Sequence, residues 1–389
     1  MTRREATRGF LALLAGSPAL SAQPDRLPDR MPALEEMISL FDFDQVCRRR
    51  IQREAYDFVS GGSDDEWTLR RNREAFSKIT LRPRMLVDVT RLDLSLTLFG
   101  TRVEMPILVA PTGTHSRVHP EGELATARGA GRVKTIMAVS STSSFPIDRI
   151  AKDATGPLWF QLYAGPDAQA TRERVENAVA AGCKAVCFTV DAPYYPHRER
   201  DLRNRLVRPE VQRELLTARS ARRSGEAPAS PYGLPQRFTA QLTWSFVDEL
   251  VSYAKVPVLI KGILTADDAR LAVAHGAAGV IVSNHGGRYL DFTPGTIEVL
   301  PEIVDAVGAK IPVLIDGGIR RGTDVLKALA LGAKAVLIGR PPLWGLGAFG
   351  ETGVARVLEM LQTELALAMG LAGKPNLAAV DRSLVSVER

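Results

Sequence analysis

The stretch GAAGVIVSNHGGRYLD, Gly276 to Asp291, sets a histidine, two glycines and an arginine within four residues, directly after an apolar run. That run is short and apolar on both faces, so it reads as a strand buried on both sides, the kind that parallel sheets contain. Gly286 and Gly287 let the chain turn at once, which allows His285 and Arg288 to face the same side of the strand end.

Outward from this stretch the same unit repeats. From Met105 onward a short apolar strand, a polar or glycine-bearing end and an amphipathic helical pattern follow one another. The strand candidates are PILVAP from Pro106, TIMAVSS from Thr135, LWFQLY from Leu158, AVCFTVD from Ala185, VPVLIKG from Val256, GVIVSNH from Gly279, IPVLIDGG from Ile311 and AVLIGRP from Ala335. Helical spacing lies between them in QATRERVENAVAAG, TADDARLAVAHG, TIEVLPEIVDAVGA and GTDVLKALALGA, several ending in a glycine suited to a helix C-terminus. Eight such units predict an α/β fold, a (β/α)8 TIM barrel with its helices outside. A doubly wound open sheet fits less well, because the count is eight and no Gly-x-Gly-x-x-Gly follows the first strand.

Two regions fall outside the repeat. Residues from about 36 to 104 read as an N-terminal helical extension covering the bottom or flank of the barrel, which makes residues 36–389 one domain. The segment from Ala192 to Gln241, rich in Arg, Pro, Ser and Gly, reads as a long excursion between the fourth strand and its helix. Residues 1–35 form a separate extension whose paired Arg3-Arg4, short apolar centre and small residues at Ala19 and Ser21 have the layout of a twin-arginine export signal. The protein is then expected to be cytoplasmic, or periplasmic if that segment is a working signal.

Composition narrows the functional classes. The 389 residues are 45% hydrophobic and 24% charged, as in globular proteins, and no apolar run approaches the roughly 20 residues that span a bilayer. The net charge of +6 owes much to an arginine-dense segment from Arg198 to Arg223, which lacks the interleaved aromatics of a nucleic-acid surface. Cys47, Cys183 and Cys187 do not have the spacing of a zinc site, and no metal is expected. Two of them read as interior thiols and one as near an N-terminal helix.

In such a barrel the chemistry gathers at the carboxyl ends of the strands. Those ends are polar throughout: Pro111-Thr112-Gly113, Ser140-Ser141, Gln161 and Tyr163, Thr189 and Asp191, Lys261, Ser283 with His285, Asp316-Gly317-Gly318, and Gly339-Arg340. The loop DGGIRRG, Asp316 to Gly322 through Ile319, and the loop GRP from Gly339 offer backbone N–H groups beside Arg320 and Arg340, at the usual phosphate position of these barrels. Glycines that merely turn the chain would account for Gly317 and Gly318 but not for the arginines. Lys261 needs an anionic partner at the mouth, and Gln161 and Thr189 suit the polar edge of a planar heterocycle. Phosphate, planar ring and cation together point to a flavin mononucleotide, FMN. His285 can remove a proton near neutral pH, and Arg288 can grip a carboxylate through two parallel hydrogen bonds. Base and carboxylate clamp describe a 2-hydroxy acid substrate, with Asp191 placed to orient His285 and to stabilise its protonated form.

At these residues the sequence resembles the FMN-dependent 2-hydroxy-acid oxidase and dehydrogenase family, which includes glycolate oxidase, lactate oxidase, mandelate dehydrogenase and the flavin domain of flavocytochrome b2. The blocks that carry the resemblance are SNHGGRYLD, DGGIRRGTDVLKALALGA, IGRP, FQLY, FTVDAP, IKGI, HPEGE and GGSDDEWTLRRNREAF, spread from about residue 38 to the C-terminus. The resemblance implies His285 as the base, Asp191 as its partner, and Tyr163, Arg198 and Arg288 on the substrate carboxylate. It implies that Pro111, Thr112, Gly113, Ser140, Gln161, Thr189, Lys261 and Ser283 hold FMN, together with Asp316, Gly317, Gly318, Ile319, Arg320, Gly339 and Arg340. It also implies oxygen, a quinone or a cytochrome as electron acceptor, and a homotetramer.

Two positions depart from the family pattern, and a third resembles one branch of it. Phe58 stands where a tyrosine hydroxyl would meet the substrate carboxylate, a hydrogen bond worth about 0.5–3 kcal/mol. Thr142 replaces a large residue beside the substrate, and Gly113 matches mandelate dehydrogenases, which points away from oxygen as the main acceptor. An FMN-dependent barrel isomerase would share the phosphate site but has no need of His285 and Arg288. A non-catalytic flavin-binding relative is the other reading that Phe58 and Thr142 allow.

Overall fold

A computed structural model describes residues 30–206, 239 and 241–388 of the chain. Eight parallel strands close into a barrel: β1 (Ile107–Val109), β2 (Met137–Ser140), β3 (Leu158–Leu162), β4 (Val186–Thr189), β5 (Val258–Ile263), β6 (Gly279–Val282), β7 (Val313–Asp316) and β8 (Ala335–Ile338). They follow one another around the ring in chain order, and β8 pairs with β1 to complete it. All eight are the strands that the repeat predicts. Their near-continuous apolar character follows from closure, since one face lines the barrel interior and the other meets the surrounding helices. Leu108, Ala138, Trp159, Cys187, Leu259, Ile281, Leu314 and Leu337, one from each strand, meet in one buried cluster.

The helices predicted between strands are present as α6 (Ala168–Ala180), α9 (Ala266–Ala274), α10 (Thr296–Val307) and α11 (Gly322–Ala330). Before the barrel come α1 (Leu40–Arg50), α2 (Arg53–Ser60) and α3 (Trp67–Ser77). The rest of the outer layer comprises α4 (Gly122–Arg132), α5 (Ile147–Asp153), α8 (Trp244–Ala254) and α12 (Arg340–Leu371), which kinks at Phe349 and Gly350 and packs on α1 and α4. Among the described residues no helix is long and apolar enough to cross a membrane.

The expectation of helices through residue 104 needs correction. Helix ends at Ser77, and an antiparallel hairpin pairs Leu96–Leu98 with Thr101–Val103. Its turn residues, Phe99 and Gly100, both have positive φ (47° and 78°), the signature of a tight two-residue hairpin turn. Leu98 and Val103 join the interior cluster, and the Phe99 ring meets Trp159 edge-on at 5.7 Å, so the hairpin closes one end of the barrel with apolar side chains. The alternation in LSLTLFGTRV is the local signal for it. Cys47 is also buried, like Cys183 and Cys187, and burial pushes all three thiols up to about 12.

Within the excursion after β4, Glu199–Leu206 forms a helix, α7. Arg200 ties it to Glu66, at 2.5 Å, and Asn204 to Asp57, at 2.9 Å. Residues 207–238 and the proposed export segment lie outside the described residues. Residues Ile38–Arg389 form one unit and Met1–Met37 another, whose described part holds one turn of 3-10 helix at Leu34–Glu36.

Candidate active site

The loop after β6 is held in place from several directions. Asp291 at its far end caps α3: its carboxylate accepts the Trp67 and Thr68 N–H groups at 3.1 and 2.7 Å, donors that a helix start otherwise leaves unsatisfied. Asn284 and Asn72 exchange two side-chain hydrogen bonds of 2.9 Å. His285, Gly286 and Gly287 all have positive φ. A side chain on Gly286 would meet Arg340 Nη1 at 2.7 Å, and one on Gly287 would meet the Leu69 backbone nitrogen at 2.6 Å, so both positions require glycine. Left-handed backbone at a non-glycine residue such as His285 costs about 1–3 kcal/mol and is found where the surroundings impose it. Here the Ser283 hydroxyl accepts the His285 N–H at 3.0 Å.

His285 Nδ1 lies 2.9 Å from Asp191 Oδ1. Burial is the largest influence on both groups, lowering the imidazole and raising the carboxyl. The attraction between them raises His285 only in part, while for Asp191 it prevails, with help from Lys261, so both rest below their ordinary values. The imidazole is therefore neutral at pH 7, with Nδ1 directed to the carboxylate and Nε2 toward the cavity. Tyr163 Oη stands 3.3 Å from Nε2. Tyr289 packs its ring edge-to-face on His285 at 4.6 Å and hydrogen-bonds to Tyr163. Sequence patterning did not single out Tyr289, although it directly follows Arg288 in the motif.

Arg288 and Arg340 do more than face a ligand. Arg288 Nη1 donates to the Phe58 and Gly61 carbonyls at 2.7 and 3.0 Å, and Arg340 donates to Val59, Gly61 and Gly286 at 3.1, 2.8 and 3.0 Å. Together they satisfy carbonyls at the C-terminus of α2, where the helix dipole favours cations. Burial, together with neighbouring arginines, pulls Arg320 down to about 10 and Arg340 down to about 9. Neither guanidinium forms an ion pair with a carboxylate among the described residues. This corner, at the start of α12, is a cationic pocket suited to a phosphate.

Lys261 is buried, and its partner is internal: Nζ lies 3.2 Å from Asp316 Oδ2 and donates to Ser283 Oγ at 2.9 Å. The lysine thus needs no cofactor anion to stay charged, contrary to the expectation from sequence. Asp316 Oδ1 is buried without a hydrogen-bond partner, an acceptor that a polyhydroxyl chain such as the FMN ribityl group could satisfy. Phosphate-seeking arginines, a buried acceptor short of a donor and a lysine at the cavity floor fit FMN.

One cavity of about 1320 Å³, mouth included, gathers most of the predicted residues: Phe58, Pro111, Thr112, Gly113, Ser140, Tyr163, Arg198, Lys261, His285, Arg288, Asp316 to Arg320, Gly339 and Arg340. Asp191, Gln161, Thr189 and Ser283 do not line it. They stand one layer behind, where Gln161 bridges Ser140 and Thr189, each at 3.0 Å. Thr142 lines the cavity, and its Oγ1 occupies the space that a Cβ on Gly113 would need. The glycine therefore leaves no void.

A family model described as FMN-dependent dehydrogenase matches residues 47–387. Glycolate oxidase 1 of Zea mays is 43% identical over 357 residues, covering 91% of this chain and 96% of its own length. A peroxisomal (S)-2-hydroxyacid oxidase of Arabidopsis thaliana is 42% identical over 356 residues, covering 91% of this chain and 98% of its own. The crystal structure of a mandelate oxidase superposes with a TM-score of 0.80 at 41% identity, covering 90% of this chain and 99% of that one.

Proposed function

This chain belongs to the FMN-dependent dehydrogenase family, as an FMN-dependent oxidoreductase of the 2-hydroxy-acid oxidase type, and from that premise we propose that it oxidises an (S)-2-hydroxy acid to the 2-oxo acid with His285 as the base. The observation that carries this reading is the 2.9 Å contact between His285 Nδ1 and Asp191, which leaves a neutral Nε2 facing the cavity beside Arg288. Arg288, Tyr163 and Arg198 bind the substrate carboxylate. His285 Nε2 takes one proton as the alcohol becomes a carbonyl, and Asp191 stabilises the imidazolium so formed. FMN, when bound, would supply the oxidising power, taking up the two electrons together with the second hydrogen of the alcohol.

Arg320 and Arg340, with Gly339 and the loop Asp316-Gly317-Gly318-Ile319, would hold the cofactor phosphate and ribityl chain. Pro111, Thr112, Gly113 and Ser140 line the cavity where they would hold the flavin, with Gln161, Thr189 and Ser283 supporting them from behind. The Asp316 carboxylate keeps Lys261 charged, so the floor of the site carries a fixed cation. Names of relatives such as glycolate oxidase and mandelate oxidase support oxygen as the electron acceptor.

The test is the anaerobic visible spectrum of the purified protein before and after L-lactate, mandelate and glycolate. Bleaching of the flavin band by a hydroxy acid is expected, followed by rapid recovery in air. Slow recovery would replace oxygen with a quinone or cytochrome, and a flavin band that no hydroxy acid bleaches would sink the proposal.

A further inference from the structure

His285 is enclosed by two tyrosines that reach it from different parts of the chain. Tyr163 directly follows β3, and its ring lies nearly parallel to the imidazole, with 14° between the planes and 6.5 Å between the centres. Tyr289, further along the His285 loop, crosses the imidazole at 66° with the centres 4.6 Å apart. Both tyrosines line the cavity, as His285 does. The two hydroxyl groups bond to each other, and Tyr163 Oη also stands 3.3 Å from His285 Nε2. Three polar groups thus form a chain, Nε2 to Tyr163 to Tyr289, at the atom that takes the substrate proton.

The hydrogens in this chain can be counted. Nδ1 is committed to Asp191, 2.9 Å away, so the neutral imidazole has its lone pair on Nε2. A tyrosine hydroxyl has one hydrogen to donate and lone pairs with which to accept. In the resting site the Tyr163 hydrogen has two destinations in the chain, the Nε2 lone pair or Tyr289 Oη. Once Nε2 carries a proton, one ordering is left: Nε2–H donates, Tyr163 accepts, and the Tyr163 hydrogen goes to Tyr289. Each bond in such a chain polarises the next, so an acceptor for the Tyr163 hydrogen strengthens the bond that Tyr163 takes from the imidazolium. Burial most strongly disfavours a charge on this imidazole; Asp191 after β4 favours it, while Lys261 on β5 and Arg288 on the same loop oppose it. Tyr289 itself is faced by Asp191, Arg198 and Arg288, and burial keeps its phenol protonated. A carboxylate in its place would compete with the substrate for Arg288, whereas a neutral hydroxyl does not.

We propose that Tyr289 is a positioning residue of the reaction: it accepts the Tyr163 O–H, turns the Tyr163 lone pairs toward Nε2 and so stabilises the imidazolium that forms when His285 takes the substrate proton. The inference rests on the reading of His285 as the base and deepens it. Tyr289 acts through Tyr163 and needs no contact with the substrate.

The holoenzyme, with its histidines labelled with nitrogen-15, tests this by titration of His285 in nuclear magnetic resonance spectra. The chain has five histidines, and the signal missing from His285→Gln assigns the resonance. Tyr289→Phe keeps the ring against the imidazole and removes only the hydroxyl. It is expected to lower the midpoint of the His285 titration by about 0.4–1 pH unit, the equivalent of one net hydrogen bond. Anaerobic flavin reduction should slow by about two- to tenfold, with its acid limb moved to lower pH in step with the midpoint. In a Tyr163→Phe background, Tyr289→Phe should move the midpoint no further, because the effect passes through Tyr163. A midpoint within about 0.2 unit of native, as a merely structural tyrosine would leave it, or one displaced upward, overturns the inference while leaving His285 as the base. So does a shift that persists at full size in the Tyr163→Phe background. If no hydroxy acid reduces the flavin, the functional reading falls, and the titration, which needs no turnover, still decides whether Tyr289 stabilises the imidazolium.

Discussion

Replacing Asp191 with asparagine keeps the shape of the side chain and removes its charge. Asp191 lies largely buried one layer behind the cavity wall, 2.9 Å from His285, which lines the cavity. When His285 takes up a proton, the new charge faces a carboxylate in the native protein and a neutral amide in the variant. Breaking a buried ion pair by removing one partner costs about 3–5 kcal/mol. At about 1.4 kcal/mol per decade, and with only part of the charge developed in the transition state, the limiting rate of flavin reduction should fall about 10²–10³-fold. Stopped-flow absorbance under anaerobic conditions measures it, and the apparent Kd from the same traces should change little, because Arg288 and Tyr163 are untouched. The pH profile supplies an independent sign. Burial holds the His285 imidazole below its ordinary value, so native kcat/KM should rise with pH on the acid side and be flat by neutrality. Asp191 pulls that value upward, so Asp191→Asn should move the acid limb to lower pH. A limiting rate within about fivefold of native, or an acid limb moved to higher pH, would refute the role given to Asp191.

Lys261→Met should destabilise the flavin-free chain by about 3–5 kcal/mol in urea unfolding, since the Asp316 carboxylate 3.2 Å away would be left buried and unpaired; a loss under about 1 kcal/mol would contradict the internal pairing. Gly113→Ala puts a methyl group onto Thr142 Oγ1 and should cost about 1–3 kcal/mol by overpacking, most of it recovered when Thr142→Ala is added. Strictly additive effects on Tm would show that the two positions do not compete for space. Phe58→Tyr adds a hydroxyl beside Arg198 and Arg288 and should lower KM for lactate about two- to tenfold; an unchanged KM would mean that this position does not reach the carboxylate.

Features that depend on short stretches of chain are legible in the amino-acid sequence. A buried parallel strand is apolar along its length, a covering helix repeats every 3.6 residues, and polar strand ends face one mouth, so the eight strands, α6, α9, α10, α11 and most of the cavity lining follow from neighbouring residues. The hairpin at residues 96–103 is legible in its alternation but is outweighed by the helical patterns preceding it. What no local pattern contains is the choice of partners. Asp291 caps a helix 223 residues earlier, Lys261 finds Asp316 two strands away, and Arg288 and Arg340 cap the end of α2. Arg117 meets Phe58 only because the ring of strands brings the first barrel loop against the N-terminal helices. Sequence by itself determined the barrel and the polar side chains gathered at its mouth, because periodicity and residue chemistry act over a few residues. Tertiary structure alone decided which charges are neutralised and which stay open to a ligand, because closure of the barrel sets those distances.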